Sequence, residues 1–252
     1  MREYRSIIVN NGQASPDYLN DFVVECIEKI KNTRKIEKIA DVGCGLGSHC
    51  IKFKNKVSEC KYIGIDFSEA TINYLKNKQI FDEIYLSGAD KLPIPENYVD
   101  IAISMENLEH LYIEEVVPAL SELSRISEYI IITTPTPESV INTGWLNYEI
   151  AEAISDNIPL SEHDYRCLEC CVHKSVIYPD SLLQAGFKQI KVHGTDSECY
   201  YIKTSELVLS KIRVKGMTRD ELLTNCDLKT KYIDLLNKSL SLEKIIAPWK
   251  KS

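Results

Sequence analysis

No apolar run in this 252-residue chain is long enough to cross a bilayer, and the opening MREYRSIIVNN lacks the apolar core of a secretory signal. Positive charge is not in surplus either, since 30 Lys and Arg face 37 Asp and Glu, for a net −7. A global basic field drawing the chain to nucleic acid or anionic lipid is thereby excluded, and only a local patch could do so. Internal repeats and low-complexity tracts are absent. So is the even cysteine count that a disulfide framework in a secretory context would bring. Nine cysteines are present, and the expectation is free thiols in a cytoplasmic protein. Cys26, Cys44, Cys50, Cys60, Cys199 and Cys226 are scattered and read as small buried hydrophobes. The cluster Cys167-Leu-Glu-Cys170-Cys171, with His163 and His173 on either side, lacks the second CxxC of a zinc ribbon. It reads as a cysteine-rich loop, with a four-ligand zinc site as the alternative.

With 252 residues, 44% apolar and 27% charged, the chain suits one large α/β domain with a sizeable core, or one domain plus a small appendage. Leu19, Phe22, Val23, Cys26, Ile27 and Ile30 recur at helical spacing and predict a helix over Pro16–Lys31, with Asp17 and Asp21 at its favourable end. Strands are expected near Glu37–Val42, Tyr62–Asp66, Ile84–Ser87, Asp100–Ser104 and Tyr129–Thr134. Helices are expected near Ser48–Phe53, Ser68–Lys78 and Ile113–Arg125. That alternation implies a doubly wound, mostly parallel sheet. It stops between Pro135 and Pro179 in a polar, aromatic insertion that follows the fifth strand, at the edge where ligands bind in such folds. Asp180–Ala185 then reads as a last helix capped by Gly186, and Lys188–Val192 and Tyr200–Lys203 as closing antiparallel strands. Two amphipathic patterns, Asp220–Asn225 and Leu228–Leu240, read as packing or homodimer-contact helices.

The densest signal is IADVGCGLGS, residues 39–48. Apolar residues lead into Asp41, after which Gly43, Gly45 and Gly47 alternate with Cys44 and Leu46. Residues without Cβ let the backbone come close to a ligand. A dinucleotide fingerprint would need its third glycine at 48, where Ser48 stands. Asp66 ends the second strand, where a carboxylate can take ribose hydroxyls, and Ala89-Asp90 follows the third. These elements, in register from Ile36 to Pro135, resemble class I S-adenosylmethionine (SAM)-dependent methyltransferases. The resemblance implies a seven-stranded Rossmann-like α/β fold and SAM as cofactor, held by Asp41, Gly43, Cys44, Gly45, Gly47, Asp66, Phe67, Ala89, Asp90 and Met105. It further implies an N-terminal helical cap over 1–35, a SAM-binding domain over 36–215 with a substrate-side insertion at 136–179, and a helical C-terminal extension over 216–252.

Directly after the fourth strand stands Met105-Glu106-Asn107-Leu108-Glu109-His110-Leu111. On a helical turn Glu106, Glu109 and His110 converge. Two carboxylates and an imidazole suit Mg²⁺, Mn²⁺ or Fe²⁺, which would hold a substrate oxygen and lower a hydroxyl's pKa. ENLEHL resembles the E-x-x-E-H element of metal-assisted O-methyltransferases, namely those of ubiquinone biosynthesis and those that methylate the terminal 2′-hydroxyl of small RNAs. By that resemblance His173 is the candidate fourth ligand, with His163 its competitor. The longer loop and the lack of an aromatic after Lys174 depart from the RNA group. Without a metal, His110 would act as a general base. The expected substrate is a small hydroxylated acceptor, with a sugar or sugar-derived precursor the first assignment; RNA 2′-O-methylation and a non-catalytic SAM-binding subunit are the alternatives. Trp145, Tyr148, Tyr165 and Tyr178 are candidates to stack on the acceptor.

Overall fold

The computed structural model describes residues 18–136, 173–190, 197–216 and 218. Helix α1 (Tyr18–Lys31) buries Leu19, Val23, Cys26, Ile27 and Ile30, the stripe its spacing predicts. There follow β1 (Lys38–Val42), α2 (Ser48–Lys56), β2 (Lys61–Asp66), α3 (Glu69–Lys76), β3 (Glu83–Leu86), β4 (Val99–Met105), α4 (Ile113–Ile126) and β5 (Ser127–Pro135). After residue 172 come β6 (Ser175–Ile177), α5 (Pro179–Gln184), β7 (Lys188–Ile190), β8 (Ser197–Lys203) and β9 (Val214–Gly216).

Seven strands form one sheet in the order β3-β2-β1-β4-β5-β8-β7. Strands β1 to β5 are mutually parallel, while β8 runs antiparallel to both β5 and β7. The alternation of side chains along each strand divides the core between the two faces of the sheet. Ala40, Val42, Ile63, Ile65, Ala102, Ile130 and Ile132 pack with α4 and α5 on one face. Ile39, Tyr62, Ile101, Ile103 and Ile131 pack with α1, α2 and α3 on the other. This is the expected doubly wound fold. Because β1 leads outward to β2 and β4 leads outward to β5, the chain reverses between β1 and β4. A crevice at the carboxyl ends of those two strands is the position where such sheets bind ligands.

Element ends differ from expectation by a few residues. Ser68 lies outside α3 as its N-cap, its hydroxyl accepting the Thr71 N–H at 3.4 Å. A second sheet was not anticipated: β6 and β9 pair antiparallel, Ser175 against Gly216. Three-residue strands carry too little alternation to be read from sequence. Residues 173–177, read as the end of the insertion, therefore run into a strand. Cys26, Cys44, Cys50, Cys60 and Cys199 are buried free thiols, as expected. His163, the Cys167/Cys170/Cys171 cluster, Trp145, Tyr148, Tyr165, Cys226, Pro16, Asp17 and the two tail patterns lie outside the described residues. Among the described residues, no helix is long and apolar enough to cross a membrane.

Candidate active site

At the carboxyl end of β1 the backbone turns through three left-handed glycines, Gly43, Gly45 and Gly47, at φ of 80°, 51° and 76°. A side chain at Gly43 would collide with Asn107, whose Cγ lies 2.4 Å from the place a Cβ would take. Nothing lies within 4 Å of the equivalent position at Gly45, so the loop offers open ground there. Two backbone donors, the N–H groups of Gly43 and Cys44, bond the Ile65 carbonyl at 2.8 and 3.1 Å and tie the loop to β2. The Asp66 carboxylate completes the brace, accepting the Gly45 N–H at 3.0 Å and the Ser68 N–H at 2.9 Å. Asp66 is thus first a loop-shaping residue.

Asp41 lies beneath this loop, 3% exposed, and its Oδ2 has no hydrogen-bond partner. Burial, and secondarily the Asp66 charge, pushes its carboxyl up to about 7. Phe67 is 44% exposed beside Asp66, Ala89 is buried, and Asp90 is exposed at the head of the loop after β3. Met105, at the end of β4, is buried.

Beyond Met105 the chain does not enter a helix at once. Glu106 adopts φ 44° and anchors its N–H on the Thr133 carbonyl and hydroxyl, both at 3.1 Å. A single 3₁₀ turn over Leu108–His110 follows, pinned by Leu108 in the core. Glu115 then accepts the Tyr112 N–H at 3.1 Å and opens α4. The convergence expected of a helical turn therefore arises differently. Single ligand atoms of Glu109, His110 and His173 lie within 4.8 Å of one another, and Glu106 stands outside that set. Glu106 faces β8 instead, where the Ser197 hydroxyl donates to its Oε2 at 2.8 Å.

His173 reaches the cluster because its strand is fastened to the 3₁₀ turn. The Lys174 N–H donates to the Glu109 carbonyl at 2.6 Å, and the Ser175 hydroxyl to the Leu111 carbonyl at 2.7 Å. The His110 and His173 rings meet edge-on, centroids 4.8 Å apart. Glu109 is 1% exposed, and both its carboxyl oxygens are without partners, as are Glu106 Oε1 and His173 Nδ1. Burial, then the Glu106 charge, raises the Glu109 carboxyl well above its ordinary value. Burial lifts Glu106 to about 7 against the opposing bonds from Ser197 and Thr133. Burial and the neighbouring Lys174 push His173 down to about 4, which keeps its imidazole neutral with a lone pair to give. The Glu109 carboxyl and the neutral His173 imidazole, converging beside His110 with unpartnered atoms, fit a divalent cation.

Sequence reading missed Asn107 and Ser197. Asn107 was visible between the two glutamates, but its contact with Gly43 depends on β1 and β4 being neighbours. Ser197 carried no local signal; only the antiparallel pairing of Pro135 with Ser197 brings it to Glu106.

Residues 39–128 match the family described as Methyltransferase domain. An uncharacterised methyltransferase of Schizosaccharomyces pombe is 32% identical over 110 residues, covering 39% of this chain and 39% of that protein. Malonyl-[acyl-carrier protein] O-methyltransferase of Yersinia pestis is 25% identical over 134 residues, covering 51% of this chain and 49% of that protein. The chain thus spans half or less of the length of these curated relatives. A SAM-dependent methyltransferase structure from Aquifex aeolicus overlays 78% of this chain and 96% of its own, at 21% identity and a TM-score of 0.47.

Proposed function

From the methyltransferase domain over residues 39–128 and the donor atoms beside it, we propose that this chain is a SAM-dependent O-methyltransferase assisted by a divalent cation. Its acceptor is a hydroxyl of a small molecule, and a sugar or sugar-derived precursor is the class we assign first. One observation carries this reading. Ligand atoms of Glu109, His110 and His173 converge within 4.8 Å at the end of β4, one strand from the glycine loop, with both buried Glu109 oxygens unpartnered.

SAM supplies a sulfonium-borne methyl group, an electrophile that an acceptor oxygen displaces in line. The open loop at Gly45 and the unpartnered Asp41 suit the zwitterionic methionine end, with Gly43, Cys44 and Gly47 shaping the cradle. Asp66 and Phe67 border the ribose, Ala89 and Asp90 the adenine, and Met105 the floor. Aligning donor and acceptor in this way can remove several kcal/mol of barrier. Glu109, His110 and His173, with Glu106 behind them, would hold Mg²⁺, Mn²⁺ or Fe²⁺. Such an ion lowers the pKa of a bound hydroxyl toward neutrality. Without a cation, His110 would itself accept the hydroxyl proton. A chain of net charge −7 favours an uncharged acceptor over a polyanion.

Calorimetry on the full chain tests both halves. We expect heat on titration with S-adenosylhomocysteine, and separately with Mn²⁺. Glu109→Ala should abolish the Mn²⁺ heat and reduce turnover by at least about 100-fold, with S-adenosylhomocysteine affinity kept within about twofold. No heat with either SAM or S-adenosylhomocysteine would overturn the methyltransferase reading. Full Mn²⁺ binding by Glu109→Ala would remove only the cation.

A further inference from the structure

Between β3 and β4 the chain crosses residues 87–98 without regular structure, and this loop carries Ala89 and Asp90 near its start. The Ser87 N–H still bonds the Asp66 carbonyl at the end of β2 at 3.0 Å, but beyond it two prolines, Pro93 and Pro95, bring no N–H and the loop leaves the sheet. Around those prolines the partners come from the end of α4. The Leu92 N–H donates to Glu122 Oε2 at 2.7 Å. From Arg125, Nη1 donates to the Ile94 carbonyl at 2.7 Å and Nη2 to the Leu92 carbonyl at 2.9 Å. The same guanidinium closes on Glu122 twice, Nε to Oε1 and Nη2 to Oε2, both at 2.7 Å. Even the Arg125 carbonyl takes part, accepting the Asn97 N–H at 2.9 Å.

Leu92 and Ile94, the two residues gripped, are buried in the core beneath α4. The loop is therefore fixed at its centre, two residues beyond Asp90. On the near side the Ser87 hydroxyl donates to the Lys91 carbonyl at 2.5 Å, closing residues 87–91 into a short arch. Asp90 stands on that arch, its Oδ1 folded back to 2.7 Å from where a Cβ on Gly88 would be. With one end of the arch in β3 and the other held by α4, the position of the Asp90 carboxylate is set by a helix on the far side of the loop. A planar guanidinium with several donors in fixed directions gives a rigid grip that a single hydrogen bond would not.

We propose that the Glu122–Arg125 pair is a positioning device for the nucleobase end of the donor: by fixing the arch it sets Asp90, and through Asp90 the preference for adenine. This inference rests on the donor site described above. Glu122 and Arg125 are positioning residues, acting through the loop backbone that they hold.

The test compares S-adenosylhomocysteine with S-inosylhomocysteine, which carries an oxygen in place of the adenine amino group. Titration calorimetry on the full chain should give the wild type at least about a tenfold preference for the adenosyl compound, the worth of one discriminating hydrogen bond. Arg125→Gln should compress that ratio to within about threefold while the inosyl affinity changes little, and Arg125→Lys should recover part of it. A merely structural role would weaken both ligands alike and leave the ratio intact. A folded Arg125→Gln that keeps the wild-type ratio overturns the proposal and leaves the donor site standing. If Arg125→Gln does not fold, Glu122→Ala is read by the same criterion. A wild type that binds both compounds equally also overturns the proposal, whereas one that binds neither overturns the donor reading with it.

Discussion

The two edges of this sheet are built from the same residue types and treat charge in opposite ways. At the amino edge Asp100 accepts the N–H groups of Glu37 and Lys38 at 2.7 and 2.9 Å and the Arg34 guanidinium at 2.6 Å. Arg34 also pairs with Glu128, which takes Lys203 at 3.5 Å, and Lys31 and Lys35 are matched to Glu59 and Glu37. At the carboxyl edge Asp41, Glu106 and Glu109 are more deeply buried, yet each keeps a carboxyl oxygen without a partner. Leaving one such group unmade costs about 1–3 kcal/mol. The amino edge proves that the fold can satisfy its carboxylates. An edge that leaves three unsatisfied around a strained loop has lone pairs reserved for something that arrives later.

The sharpest way to break the contrast is at the strained loop itself. Gly43→Ala introduces a Cβ at φ 80° and drives it against Asn107. The backbone penalty is roughly 1–2 kcal/mol before any clash. We expect S-adenosylhomocysteine affinity to fall at least about tenfold and the melting temperature to drop by about 5 °C. Adding Asn107→Ala removes the collision and leaves the φ penalty, so the double variant should regain part of the stability. If the double variant is no better than the single, Asn107 does not shape the loop.

A second prediction turns on protons. Asp41 and Glu106 hold theirs up to about 7 in the folded chain, against ordinary carboxyl values of 3.8 and 4.5. Between those limits the folded state binds more protons than the unfolded one, so stability falls as pH rises and the full cost is felt above about 7. The unliganded protein should therefore melt at least several degrees lower at pH 8 than at pH 5.5. Mn²⁺ should stabilise the protein more at pH 8 than at pH 5.5, because the cation displaces the proton that the buried Glu109 carboxyl holds well above its ordinary value. A melting temperature that is flat across this range, with and without Mn²⁺, would refute it.

Much of this was legible in the chain. The inner parallel strands β1, β2, β4 and β5 announce themselves as apolar runs buried on both faces, and the glycine loop and Glu109-His110 lie within local windows. What could not be read is what the topology brings together. Glu106 and Ser197 are 91 positions apart and meet only because β8 inserts antiparallel beside β5. The turn at Glu106, with φ 44°, replaces the continuous helix that i, i+3, i+4 spacing suggests, since two bonds to Thr133 hold its N–H on the sheet. His173 was singled out by resemblance; its delivery by the β6–β9 pair had no periodic signature.

The smallest effect, and the control for all of this, lies at the amino edge. Arg34→Ala removes two ion pairs and uncovers Asp100, whose carboxylate still accepts two backbone N–H groups. The Arg34 side chain is 34% exposed, so water screens the loss and the cost should be about 1 kcal/mol, or about 3 °C in melting temperature. Because β1 and β4 begin at this edge and end at the other, a rigid sheet could carry the disturbance along them. The contrast drawn above requires that it does not: S-adenosylhomocysteine and Mn²⁺ affinities of Arg34→Ala should match the wild type within about twofold. A larger loss would mean that the matched charges at one edge hold the unmatched ones at the other in place, and that the two edges form a single device.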